Sequence, residues 1–153
     1  MDRQQKAYEC FKEGYNCAQA VIMAFSDVLP IDEQLLLKIS SAFGGGFART
    51  RNLCGAVAGI GMVLGVLKDS LGNVAEDKKD IYEKVRSLTD KFEEMNSSLL
   101  CGELLKNMKN ITKDYVPSER TAEYYAARPC VKFILDATKL TEDYLIEQGI
   151  IKE

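Results

Sequence analysis

The chain has 153 residues, 46% of them apolar and 28% charged, with a net charge of −3, the balance of one ordinary domain with a sizeable core. No basic tract or aromatic-basic patch points to nucleic acid, and the longest apolar run, Cys54 to Leu67, is too short to span a bilayer. The chain has no histidine, which removes the usual general base of serine and cysteine hydrolases and excludes a Glu-x-x-His di-iron bundle.

Taken in order, residues 3 to 13 read as a short helix, with Ala7, Cys10 and Phe11 at helical spacing. Gly14, Tyr15 and Asn16 break it, and Asn16 caps a second helix that opens with Cys17 and runs to Pro30. Asp32 caps a third, through Leu36 and Ile39 to Phe43. Three glycines, Gly44 to Gly46, then mark a loop that carries Arg49 and Arg51. Asn52 is a candidate cap for the next helix, with Cys54 in its first turn. That helix, 54–71, has no polar side chain up to Leu67, so it is expected to be buried all round. Gly55 and Gly59 lie four apart, as do Gly61 and Gly65. Each glycine costs a helix about 1 kcal/mol relative to alanine, so close approach of other backbones is the expected reason for them.

Residues 76 to 95 are the cleanest amphipathic helix, with Ile81, Val85, Leu88, Phe92 and Met95 on one stripe. Asn96, Ser97 and Ser98 end it and can cap a short helix carrying Cys101. Residues 110 to 128 read as an irregular excursion with one helical turn after Ser118. Pro129 suits the first turn of a final helical region with Cys130 beside it, through Phe133, Ile134, Ala137 and Leu145. No alternating strand pattern and no linker is visible. The expected fold is all-α: a single domain over residues 1–153, a bundle of about six to eight helices around a buried glycine-rich central helix. The polar N-terminus reads as no signal peptide, so the cytoplasm, where thiols stay reduced, is the expected location.

Of the five cysteines, Cys17, Cys54, Cys101 and Cys130 share one setting, the start of a predicted helix. The positive end of a helix dipole can lower a thiol pKa from about 8.5 into the range of roughly 3.5–7.5. Arg49 and Arg51 precede Cys54, and Arg128 precedes Cys130. Thiolates are both redox nucleophiles and metal ligands, so the setting suits either chemistry. Cys10 lies mid-helix on an apolar face and reads as a packing residue. The FGGG run lacks the spacing of a phosphate-binding loop and has no preceding strand.

NCAQAV at 16–21, FGGG at 43–46, CGAVAG at 54–59, CGELL at 101–105 and Cys130 together resemble the C_GCAxxG_C_C family. The resemblance covers nearly the whole chain and implies a helical protein with a redox label but no assigned substrate. It carries Cys17, Cys54, Cys101 and Cys130 over as the family's cysteines, with Gly55, Ala56 and Gly59 completing the signature. Cys10 and the length of the 110–128 stretch depart from the pattern.

Three readings compete. The first is thiol redox chemistry, an oxidoreductase working with an unidentified redox partner, in which Cys54 attacks and Cys17 resolves; four cysteines allow three pairings and the sequence chooses none. The second is a metal site, zinc or an iron–sulfur cluster, on the same four thiolates, although no closely spaced cysteine pair supports it. The third is a non-catalytic helical interaction domain, with 76–95 pairing in a homodimer.

Overall fold

The computed structural model describes residues 2–109 and 111–153, and among these no strand forms. Helix α1 (Arg3–Lys12) starts at Asp2, whose carboxylate accepts from the Gln4 N–H. Helix α2 (Cys17–Met23) starts with a reciprocal capping box: the Asn16 side chain accepts from the Gln19 N–H and the Gln19 side chain from the Asn16 N–H, both at 2.9 Å. The α-helical pairing stops at Met23 rather than at Pro30. Residues 24 to 29 tighten into three-residue turns, with Phe25 N bonded to Ile22 O and Ser26 N to Met23 O, each at 3.2 Å. Ser26 anchors this turn, accepting from Lys6 Nζ at 2.6 Å and donating to Glu33 at 2.9 Å.

Helix α3 (Glu33–Ser40) is capped by Asp32, as expected, and ends in a 3₁₀ turn over Ser41–Phe43. After the glycine loop comes α4 (Gly55–Leu67), which packs against α2 and against α5 (Ala75–Asn96), and also against α8 (Cys130–Glu147). Between those last two lie the short α6 (Cys101–Leu104) and α7 (Ala122–Ala127). No residue of α4 is exposed, which agrees with its apolar sequence. It stops four residues short of the expected end. Lys68 leaves in an extended conformation because its ammonium is held 2.8 Å from Asp77 in the first turn of α5.

The two glycine pairs of α4 turn out to differ. A methyl group on Gly55 would lie 2.8 Å from the Phe43 carbonyl and 3.0 Å from the Ala18 nitrogen, and one on Gly59 would lie 2.7 Å from Val21. These two let α2 lie directly on α4. Gly61 would meet only Val85 at 4.0 Å, and Gly65 would meet nothing, so close packing does not explain that pair.

In α5, Leu88 and Phe92 are buried as expected, the Phe92 ring edge-on to Phe133 at 6.2 Å. Met95 does not join them and is half exposed. At that last turn Asn96 faces α8 instead, donating to Asp136 at 3.2 Å and accepting from Lys132 at 2.6 Å. The helix then ends at Ser97 in the left-handed region, φ 74°.

Candidate functional site

Local pairings gather the helix starts. Cys54 N donates to Leu99 O at 2.8 Å and Cys101 N to Asn52 O at 2.7 Å, a one-residue antiparallel bridge at Leu53 and Leu100. Gly102 N continues it to Arg51 O at 3.0 Å. This stitch fixes the start of α6 beside the start of α4. Asn52 is therefore a partner of Cys101 and not the cap of α4; Cys54 itself occupies the cap position. Cys17 comes in from the other side, because Gly55 has no side chain to hold α2 away. Cys130 is the first residue of α8, and it neighbours Cys17.

All four helix-start cysteines line one cavity of about 540 Å³. Four arginines line it too: Arg49, Arg51, Arg120 and Arg128. Among the described residues no aspartate or glutamate lines it. The volume is ordinary for a small-molecule site. Cys10 is not part of this lining; it is half-buried and packs at the edge of the core, as its position on α1 implied.

The loop that delivers two of the arginines is wound left-handed. Gly45 and Gly46 have φ 64° and 70°, but so do four residues with side chains: Phe47 (71°), Ala48 (49°), Arg49 (62°) and Arg51 (63°). Each such residue costs roughly 1–2 kcal/mol, so the surroundings must hold the loop in place. Long-reach backbone bonds do so: Ala48 N to Ala42 O at 2.7 Å, Arg51 N to Gly45 O at 3.0 Å, and Asn52 N to Gly46 O at 2.8 Å. The winding turns Arg51 inward, where it is 8% exposed; its Nε donates to Thr112 O at 2.9 Å and its Nη1 to Cys101 Sγ at 3.6 Å. The nearest arginine in sequence to Cys54 thus serves Cys101. Arg49 reaches outward to Thr112 Oγ1 at 3.4 Å and lies 3.5 Å from Asp114.

Segment 110–128, apart from Asn110, which lies outside the described residues, contributes part of the wall. Arg120 donates to Phe11 O at 3.2 Å and to Tyr15 O at 3.1 Å, and its guanidinium lies over the rings of Phe11 (4.5 Å) and Tyr124 (4.9 Å). Arg128 also lies against the Tyr124 ring, at 4.8 Å. Arg120 and Tyr124 were not singled out from the sequence. An arginine four and five residues before a Tyr-Tyr pair was a signal that the segment folds on itself around a cation.

The thiols do not share one acidity. Burial pushes Cys54 up to about 12, although the Val57 and Ala56 N–H groups at the head of α4 pull the other way. Burial also raises Cys101, against the pull of Arg51. Cys17 is raised, first by its hydrogen bond with Cys130 and then by burial. Cys130 is lowered to about 7: the same hydrogen bond contributes most, burial opposes it, and Arg128 and Arg120 favour the thiolate further. The lowering that a helix start can give is therefore not realised in three of the four: burial prevails at Cys54 and Cys101, and at Cys17 the hydrogen bond with Cys130 adds to burial.

A thiol raised by folding stabilises the fold fully below its unfolded value and loses that contribution as pH climbs toward the folded value. Cys54, with its shift from 9.0 to about 12, and Cys10, from 9.0 to about 11, act in this sense, and Cys17 and Cys101 add to it. Cys130 acts in the opposite sense, adding stability as pH rises toward 9.0. Stability of the reduced protein, followed by urea unfolding, is therefore expected to fall steeply between pH 9 and pH 11. A flat profile there would mean that the thiols are not buried as described.

All five cysteines are free thiols. Among the described residues no group of three or more Cys, Asp or Glu side chains is arranged to hold a metal ion. No helix is long and apolar enough to cross a membrane.

An all-helical protein whose helix starts bring four cysteines to one arginine-lined cavity is a candidate redox protein by its chemistry. The chain belongs to the C_GCAxxG_C_C family: residues 15–144 match the family described as "Putative redox-active protein (C_GCAxxG_C_C)". Cys17, Cys54, Cys101 and Cys130 all fall within the match, and Cys10 falls outside it. The chain is similar to an uncharacterised protein of Archaeoglobus fulgidus, 24% identical over 152 residues that cover 94% of this chain and 93% of that protein. No solved structure matches the chain.

Proposed function

We propose that this protein is a thiol–disulfide oxidoreductase in which Cys130 is the attacking thiolate and Cys17 the resolving thiol. The observation that carries the reading is that Cys17 and Cys130 line one cavity together with Arg120 and Arg128, whose charges favour a thiolate on the Cys130 sulfur. Cys130 attacks one sulfur of a substrate disulfide, and the other sulfur leaves as a thiolate. Cys17 then loses its proton to the departing thiolate or to water and attacks Cys130 Sγ. The mixed disulfide breaks, the second substrate thiol is released, and a Cys17–Cys130 disulfide remains. Two electrons have passed from the protein dithiol to the substrate, and an external dithiol returns them by the reverse exchange.

Cys54 has a different part from the one its sequence neighbours suggested. Buried and neutral, it is a poor attacking group at neutral pH, and Arg51 lies on Cys101.

The test is to equilibrate the purified protein in dithiothreitol redox buffers, block free thiols with an alkylating agent, and map the products by mass spectrometry. A Cys17–Cys130 disulfide is expected, with Cys10 alkylated throughout. The reading fails if all five cysteines are alkylated at every potential, or if anaerobic purification yields the four thiolates bound to zinc or to an iron–sulfur cluster.

A further inference from the structure

The arginines of the cavity outnumber anything that balances them. Of the four, only Arg49 has a carboxylate within ion-pair reach among the described residues, Asp114 at 3.5 Å, and that carboxylate is half exposed. Arg51 is 8% exposed and is satisfied by a carbonyl and a sulfur, both formally neutral partners. Arg120 is fixed by two carbonyls and by aromatic faces, and Arg128 by the Ser118 hydroxyl and the Tyr124 ring. That same Arg49 Nη1 is out of contact with solvent and makes no hydrogen bond, Asp114 at 3.5 Å being in ion-pair reach only. Several cations drawn into a partly dry concavity repel one another, and a buried donor left unused costs free energy. One thiolate on Cys130 offsets only part of that charge. Arg51 and Arg120 are held by bonds to backbone carbonyls, and Arg120 and Arg128 by aromatic rings, so an anion arriving between them finds donors already oriented. Surface potential of one sign inside a low-dielectric cleft concentrates ligands of the opposite sign.

We infer that the substrate is a small disulfide carrying carboxylate or other oxyanion groups, held by Arg49, Arg51, Arg120 and Arg128 with its sulfurs toward Cys130. This rests on the thiol-exchange reading above and adds the class of molecule that the site selects. The anionic arms pair with the guanidiniums, and the departing thiolate of the exchange step leaves into the same positive field.

Three probe disulfides of similar size separate the two claims: dithiodipropionate, which is dianionic, hydroxyethyl disulfide, which is neutral, and cystamine, which is dicationic. The reduced protein is mixed with each, and formation of the Cys17–Cys130 disulfide is timed. Each rate is divided by that of the same probe with mercaptoethanol, which removes intrinsic reactivity. The anionic probe is expected to react about ten-fold or more faster than the neutral one, and cystamine slowest. In wild-type protein at 1 M salt, where the Debye length is about 3 Å, the preference should largely vanish. Arg49→Gln should reduce the anionic-to-neutral ratio and Arg49→Lys should restore part of it. If all three probes form the disulfide at equal normalised rates, the anionic substrate is refuted and the exchange chemistry stands. If none forms it, the exchange chemistry and the substrate class fall together.

Discussion

Alanine in place of Cys17 is expected to slow alkylation of Cys130 at pH 7 about ten-fold, and serine in place of Cys130 to abolish disulfide formation by Cys17. The first effect follows from the hydrogen bond that the two sulfurs share. It heads the causes that lower Cys130. Removing it and leaving Arg128 and Arg120 in place should return the Cys130 value toward the ordinary thiol range, with a loss of thiolate on the order of ten-fold. Alanine suits the first position of α2, since the capping box of Asn16 and Gln19 uses neither the Cys17 side chain nor its sulfur. The fold should therefore survive. The measurement is the pH dependence of iodoacetamide labelling, resolved peptide by peptide. Wild-type Cys130 should label with a midpoint below the ordinary thiol range, and Cys54 should remain the slowest of the cavity cysteines up to pH 9. Equal midpoints for Cys54 and Cys130, or a Cys17→Ala profile that overlays wild type, would remove the basis for assigning the attack to Cys130.

Gly46→Ala is expected to cost about 3 kcal/mol of stability, lowering the unfolding midpoint by roughly 6–12 °C, whereas Gly65→Ala should be neutral or stabilising by up to about 1 kcal/mol. Both are glycines followed by apolar or flexible sequence, and only their surroundings separate them. A methyl group on Gly46 would sit 2.5 Å from Cys101 Cβ and 2.8 Å from both Arg51 Cα and Asn52 N, in a residue whose φ is already 70°. Two of those neighbours are backbone, which cannot swing away as a side-chain end can. They belong to the two residues whose carbonyls accept the bonds that join the starts of α4 and α6, so the strain would reach the cavity as well as the stability. Gly65 is helical and would meet nothing within 4 Å, so its replacement gains helix propensity without a clash. Urea unfolding of the two variants beside wild type is the check. Similar stabilities for both would contradict the left-handed loop.

Much of this architecture was legible locally. Asn16 with Gln19, and Asp32, announce helix starts by side chains that reach backbone donors only two or three residues away. The apolar run from Cys54 to Leu67 and the stripe of Ile81, Val85, Leu88 and Phe92 announce buried faces by period alone. The placement of cysteines at helix starts is a property of neighbours in the chain, and so is the family pattern that includes them. The helix ends were less legible. Met23 and Leu67 are ended by Ser26 bonding to Lys6 and Glu33, and by Lys68 bonding to Asp77, contacts between residues brought together only by folding.

Sequence alone thus determined an all-helical chain and the cysteine set, because caps, periodicity and spacing act over one or two helical turns. The tertiary structure decided which sulfur is the acidic one and what surrounds it. Ionisation depends on desolvation and on charges a few ångströms away in space, and Cys130 is set by its chain neighbour Arg128 together with Cys17 and Arg120, which only folding brings to it. For the same reason Arg51, three residues from Cys54, came to rest on Cys101, turned there by a left-handed loop and held by Thr112 from a remote part of the chain.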